Sequence, residues 1–532
     1  MISLETHPCD EGVALAERAQ AACAERSKPW VLAATVLGSS LAFVNGSVVN
    51  VALPAIQTAL DASAPDMQWI VNSYALLLAA LILVGGSAGD HYGQRRIFTA
   101  GIALFTAASV GCGLAASIGG LIAWRAVQGL GGALLVPTSL AILAATFSEE
   151  ERGKAIGTWA GFAALTAAVG PLLGGWLVDA LSWRWVFFVV VPLALVALGI
   201  TAVFMPPLRP ATPPARLDRW GALTATLGLG GVTFGLIQAA GWGFGHPAVW
   251  GSLAGGVALL GLFIAIEHRS THPMMPLSLF RSLTFSGANL LTLFLYFALG
   301  GLLFFLPFNL IYVQGYSATL AGAAFLPFTL LMGGLSRWSG GLVERYGART
   351  PLVVGPLVAA VGFALFALPG TSGSYWTTFF PAMTVLGLGM AISVAPLTTV
   401  VMSAVEGRQA GIASGINNAA SRVAWLLAVA VLGIVAIGLF SRDLDRRLGA
   451  LDLAPGVQQA VYADREKLAA AAAPPGAGAA QQQAVGAAVD AAFVWSFRVI
   501  VLAAAALAVL SALCAALMIT PGGAPGRAPP GR

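Results

Sequence analysis

"GSAGDHYGQRR", residues 86–96, sits between two apolar runs, and its pattern returns 254 positions later as "GGLVERYGART", residues 340–350. At that offset Gly86 pairs with Gly340, Asp90 with Glu344, Tyr92 with Tyr346, Gly93 with Gly347 and Arg95 with Arg349; Lys154, Gly157 and Gly161 pair with Arg408, Gly411 and Gly415. A chain with 64 glycines produces chance matches, but five identities or like-charge pairs in eleven positions, in the same connecting segment of each half, indicate a duplicated unit.

The surroundings of the repeat set the class. Hydrophobic residues make up 58% of the chain and charged ones 9%, where soluble domains carry roughly 25% charged residues. Windows of about 20 apolar residues, the length that crosses a bilayer, recur from end to end. They predict helices near 30–53, 69–88, 97–116, 120–146, 155–178 and 185–205, then 220–240 and 247–266, then 284–313, 319–337, 350–369, 374–402, 409–439 and 494–518. The expected fold is an all-α membrane protein of 14 transmembrane helices, in which two six-helix bundles flank two inserted helices. The domains that follow are an N-terminal tail (1–29), a first bundle (30–205), a linker carrying the two extra helices (206–283), a second bundle (284–518) and a C-terminal tail (519–532). The second bundle includes an outer loop, 441–493, whose "AAAAAPPGAGAAQQQ" reads as short helices joined by a flexible break.

Basic residues orient these helices, because Lys and Arg collect in short cytoplasmic loops. With the N-terminus inside, the inner segments hold Arg18, Arg26 and Lys28, then Arg95 and Arg96, Arg152 and Lys154, Arg209, Arg216 and Arg219, Arg269 and Arg281, Arg337, Arg345 and Arg349, Arg408, and finally Arg527 and Arg532. Arg184 is the exception among short outer loops. Both termini are therefore expected to be cytoplasmic, in a multi-pass protein of the cell membrane, the inner membrane if the source is bacterial, with membrane lipid as its surroundings.

Composition also excludes classes. The net charge of +5 is scattered between apolar runs, which forms no nucleic-acid patch. Cys9 and Cys23 lie in the polar tail and Cys112 and Cys514 in apolar runs, so neither a disulfide framework nor a metal site is expected. There is no phosphate-binding P-loop and no nucleophile–base pair in the spans; no cofactor and no enzymatic activity are expected.

At this point the residues resemble the major facilitator superfamily, specifically its fourteen-helix drug:proton antiporter family, from about Trp30 to Met518. "GSAGDHYGQRRIF" looks like the family's loop between helices 2 and 3, and "RAVQGLGGALLVP" like its helix 4 signature at Arg125, Gln128, Gly129 and Gly131. "GPLLGG", with Gly170, Pro171, Gly174 and Gly175, is similar to the antiporter signature of helix 5, and "SWRWVFF" before Pro192 and "VVNVALPAI" to further signatures of this branch. The resemblance implies an exporter of hydrophobic or amphipathic small molecules, working by alternating access and coupled to protons. A narrower exporter of an anionic or lipid-like metabolite is the second reading, and a non-transporting membrane sensor with the same fold the third. The chain departs from the family pattern at Asn45, where Asp is typical, at Ser47, where Thr is, and at Val190, where Asn is.

Each motif has a physical reading. Gly86 and Gly93 permit a tight turn, Arg95 and Arg96 hold the inner face, and Asp90 either docks at the helix start near Gly411 as a latch or is a solvated loop residue. Glu344, Gly347 and Arg349 are its counterparts in the second half. Arg125, about six residues inside helix 4, costs on the order of 3 kcal/mol to bury. With Gln128 it is read as a cavity-facing cation, against the alternative of a brace between helices. Arg422 is balanced between those same two roles. The "GPLLGG" glycines and Pro171 suit a gate helix or plain close packing. Asn45, Ser47 and Asn50 line the pathway or bridge helix 1 to its neighbours, and Asn289, Tyr296 and Asn309 in the aromatic helix 9 are further candidates for the pathway. No Asp, Glu or His lies in mid-span, so coupling either uses Asp179 or the inner-loop acids Asp90 and Glu344, or has the substrate carry the proton, or is absent.

Overall fold

The computed structural model describes residues 8–205, 218–270, 273–405 and 409–520. Arg209 and Arg216, Arg408, and Arg527 and Arg532 fall outside those residues, as do positions 1–7 and 521–532 of the two expected tails. The described chain is helical throughout, with no strand.

The first half consists of α1 (Pro8–Leu60), α2 (Ala64–Tyr92), α3 (Gln94–Leu114), α4 (Ile118–Thr146), α5 (Glu149–Ala180) and α6 (Trp185–Phe204). A hairpin of α7 (Arg219–Trp242) and α8 (Pro247–Arg269) follows. The second half is α9 (Leu283–Val313), α10 (Ala318–Leu335), α11 (Arg349–Leu365), α12 (Phe379–Ser403), α13 (Ala410–Gly449) and α14 (Ala479–Met518). Twelve of these are long and apolar enough to cross a membrane; α2 is a thirteenth, bent by 52° between Ile82 and Val84, and the apolar α11, shorter at 17 residues, fills the remaining expected position.

Side-chain oxygens stop the helices where the sequence turns polar. Ser63 and Asp66 form a capping box at the start of α2, Ser117 caps α4 and Asp218 caps α7, each accepting from a backbone N–H that has no partner within the helix. Lipid gives no hydrophobic drive to bring helices together, so close backbone approach matters more. A Cβ on Gly129 would lie 2.4 Å from the Tyr74 carbonyl oxygen, which lets α2 and α4 touch. The duplication reaches backbone conformation too: Gly93 and Gly347 end the paired segments with φ of +95° and +75°, a region that favours glycine.

The halves meet along α5 with α10 and along α2 with α13, with α1 also touching α9; the α7–α8 hairpin packs on both α2 and α13. Two boundaries are refined. The segment ahead of the apolar span, which begins at Ser27, is helical from Pro8 and continuous with α1. The outer loop is also shorter than 441–493, because α13 continues to Gly449, with Arg446 and Arg447 in its last turn favouring the helix C-terminus, and α14 starts at Ala479, its Ala and Gln residues being good helix formers. What remains folds over the end of the bundle: helix Pro455–Ala463, then a turn, Arg465–Ala470, with Leu468 and Ala469 buried. Lys467 ties that turn to α1, its Nζ 2.8 Å from Asp61 and 3.1 Å from Asp464, while its carbonyl oxygen accepts from Gln57 Nε2 at 3.1 Å. The Asp61 carboxylate, then Asp464, hold the ammonium above its usual pKa.

Candidate functional site: a cavity between the halves

A cavity of about 220 Å³ lies between the halves. Ser47, Asn50 and Pro171 line it from the first half, and Tyr296, Phe325, Phe328, Thr329, Met332, Met390 and Trp425 from the second. Its walls are aromatic and sulfur-bearing, with few polar points, the composition of a small-molecule site. Ser47 donates to the Val44 carbonyl of its own helix, whereas the Asn50 amide and the Tyr296 hydroxyl make no hydrogen bond with any described residue.

Of the pathway candidates, Ser47, Asn50 and Tyr296 reach this cavity. Arg125 does not: it is 2% exposed and turned into the first bundle. Its Nε donates to the Ile70 carbonyl oxygen at 2.9 Å, its Nη1 donates to Asn45 Oδ1 and to Gln128 Oε1, and the guanidinium sits 4.4 Å from the Tyr74 ring centre. Gln128 passes the chain on, donating to Ser109 Oγ at 2.7 Å. Asn45 and Gln128 thus belong to a brace joining α1, α2, α3 and α4. Asn289 is likewise a bridge, accepting from Asn417 Nδ2 of α13, and Asn309 is buried in a π-turn where it accepts from Gln314. The helix 9 aromatics Phe304, Phe305 and Phe308 are buried against one another. Arg422 is half-buried on α13, one turn from the cavity-lining Trp425, without a hydrogen-bond partner among the described residues.

The "GPLLGG" segment lies at the seam. A Cβ on Gly170 would strike Ser47 Oγ, one on Gly175 would lie 2.1 Å from the Ala318 carbonyl oxygen, and one on Gly322 would lie 2.1 Å from that of Pro171. Gly174 packs against Val48 in the same way. Asp179 completes the seam: its carboxylate accepts from the Ala318 and Thr319 backbone N–H groups at 3.1 and 2.7 Å and from Thr319 Oγ1 at 2.6 Å, at the first turn of α10. At the same end, Tyr312 donates to the Pro54 carbonyl oxygen at 2.9 Å. The end of the molecule away from Asp90 is therefore shut.

Asp90 is exposed and accepts from Gln94, four residues on, at 2.6 Å, and no described residue of the second half reaches it. A side chain at Gly157, Gly161 or Gly411 would meet no described atom within 4 Å. Gly86 faces Pro137, Arg95 donates to the Ala202 carbonyl oxygen at 2.9 Å, and Arg96 and Glu344 are exposed. Arg349 opens α11.

Sequence reasoning missed two groups. Met332, Met390, Phe325 and Trp425 are apolar residues in apolar runs, with no signal to mark them. Gln68 and Asn72, fully buried on α2, stand one helical turn apart at the start of the expected span 69–88, Gln68 just before it; both amides lack partners among the described residues, and Gln68 lies beside Gly433 of α13.

Comparison with known proteins agrees with this architecture. The model of the Major Facilitator Superfamily matches residues 35–429. The chain is 36% identical over 436 residues to the tetracenomycin C resistance and export protein of Streptomyces glaucescens, covering 82% of this chain and 80% of that one. It is 34% identical over 428 residues to the multidrug resistance protein Stp of Mycobacterium tuberculosis (80% and 78% covered), and 36% identical over 414 residues to the puromycin resistance protein of Streptomyces alboniger (77% and 82%). Among solved structures, a bacterial homolog of the human lysosomal transporter Spinster, inward-facing and occupied, superposes with a TM-score of 0.66 at 19% identity, covering 92% of this chain and 96% of that one. This chain belongs to the major facilitator superfamily and, with its drug-resistance relatives, is a multi-pass efflux transporter for small molecules.

Proposed function

We propose that the protein exports amphipathic small molecules with an aromatic or apolar body from the cytoplasm across the cell membrane, by rocking its two halves about the central cavity. The observation that carries this is the asymmetry of the seam: α5 and α10 lock at one end through Asp179, Gly175 and Gly322, while at the other end Asp90 bonds only within its own half, to Gln94, among the described residues, with a cavity lined by both halves between. With the basic segments cytoplasmic, this is the loading state, and substrates enter from the cytoplasm or the adjoining lipid leaflet. Gln68 and Asn72 support reversibility, because a buried polar group without a partner costs about 1–3 kcal/mol, a penalty relieved when α2 and α13 part. Closing the inner end would bring Asp90 to the α13 start, which makes the latch a contact of the other state.

Proton coupling needs a group that titrates within this cycle, and Asn45 cannot supply it. Asp179 is the acid that ties α5 to α10: protonation removes the negative charge favoured at the α10 N-terminus and loosens the outer seam. Asp179→Asn is expected to retain downhill efflux but lose its acceleration by an imposed proton gradient, measured with fluorescent substrate in proteoliposomes. Gradient acceleration equal to that of the native chain rules Asp179 out. The same vesicles test the export reading: no substrate flux above protein-free vesicles, with or without a gradient, ends it. Asn45→Asp, which places a carboxylate against Arg125, is expected to leave gradient dependence unchanged, because that site is closed off from the cavity. Gradient stimulation appearing only in that variant would show that helix 1 is the coupling site and the native chain has lost it.

A further inference from the structure

Two lone arginines enter the interior, one from each half, and the difference between their surroundings bears on the cargo. Arg125 has its Nε and Nη1 committed to oxygens within its own bundle and no path to the cavity. Arg422, on α13, makes no hydrogen bond with any described residue, and its Nε is shielded from solvent with no acceptor in reach. Among the described residues, the ionisable groups that act on it are the phenols of Tyr74 and Tyr296, with no carboxylate. Tyr296 and Trp425, the latter three residues on from Arg422 and so on the same side of the helix, both line the cavity.

A guanidinium with its Nε out of water and no counter-charge beside it is held unfavourably. A site kept in that condition gains most from a ligand that supplies the missing charge. A cationic ligand would meet the opposite: like charge, and no acid on the cavity wall. Asn50 and the Tyr296 hydroxyl, both without partners, add donors suited to the same acceptor.

Building on the export reading, we propose that the substrate is an organic anion: a carboxylate, sulfonate or acidic phenol carried on an aromatic body, with the anionic group bound by Arg422 and the body packed against Trp425, Phe325, Phe328 and Met390. Arg422 is a specificity-determining residue, and its planar fork suits an oxyanion better than the point charge of lysine.

Two fluorescent probes that share one ring system test this: anilinonaphthalene sulfonate and its uncharged counterpart phenylnaphthylamine, titrated against the full chain in lipid nanodiscs. The native protein is expected to bind the sulfonate at least about tenfold more tightly than the neutral probe, the ratio that one added charge-assisted hydrogen bond gives. Arg422→Gln is expected to erase that preference by weakening sulfonate binding while the neutral probe still binds, and Arg422→Lys to keep part of it. Equal binding of the two probes by the native chain, binding of neither, or an undiminished preference in Arg422→Gln overturns the proposal. Loss of both probes in Arg422→Gln, with Arg422→Lys equally impaired, assigns the arginine to the framework and overturns it too. Preferential binding of the sulfonate without its passage across proteoliposomes would instead defeat the export reading, leaving Arg422 as an anion-binding residue of a site that does not transport.

Discussion

Gly322→Val abolishes efflux while the protein still inserts and keeps its helices. A Cβ at this position would lie 2.1 Å from the Pro171 carbonyl oxygen on the opposite half, so α5 and α10 cannot close against each other. Forcing extra carbon into a packed contact costs about 3 kcal/mol at the upper end of what such sites absorb, enough to lower the population of the shut seam about a hundredfold. Gly322→Ala, which adds only the offending carbon, reduces efflux less. The check is efflux from vesicles, together with labelling of an Asn50→Cys variant by a membrane-impermeant thiol reagent applied from the outer face. Labelling is slow in the native background and accelerates with Gly322→Val. Full efflux with slow labelling would mean that the seam yields without opening and is no gate.

Arg125→Met removes a structural hub. It leaves Asn45 Oδ1 and Gln128 Oε1 without that donor inside the first bundle, at about 1–3 kcal/mol for each buried acceptor left unpaired. The expected result is a steep fall in thermal stability of the purified protein and in its level in membranes. Arg125→Lys rescues little, since one ammonium cannot meet three acceptors from three helices in the geometry of the planar fork. A stable Arg125→Met protein that has lost only transport would place Arg125 in the pathway after all.

These two arginines show where the sequence stops being legible. Each is a single cation in an apolar run, and nothing local separates them. What separates them is whether acceptors arrive from elsewhere: Asn45 and Ile70 come to Arg125 from α1 and α2, whereas no described group comes to Arg422. That is decided by helix packing, which residue spacing along one helix does not record. The architecture, by contrast, was written redundantly, in the apolar windows, in the alternating basic loops and in the repeat whose glycines reappear as Gly93 and Gly347 with matching backbone. The glycines of "GPLLGG" were legible as a motif, but gate and tight packing demand the same small residues; the partner surface on Ala318 and Gly322, well over a hundred residues away, is what places them at the junction of the halves. The helix 9 rings carry the same ambiguity. A ring facing another ring and a ring facing a cavity look alike in one dimension.

The α7–α8 hairpin rests on α2 from one side of the molecular dyad and on α13 from the other, and α8 turns most of its surface outward, with 11% of its apolar window covered by protein. Any rotation that parts α2 from α13 must therefore drag this pair of rods sideways through acyl chains. The surrounding fluid is mechanically coupled to the working stroke, and a bilayer thicker or thinner than the hairpin prefers would favour one end of the stroke, at fractions of a kcal/mol per ångström of mismatch. Turnover in reconstituted membranes thus becomes a function of lipid chain length, with the hairpin as the lever through which thickness acts.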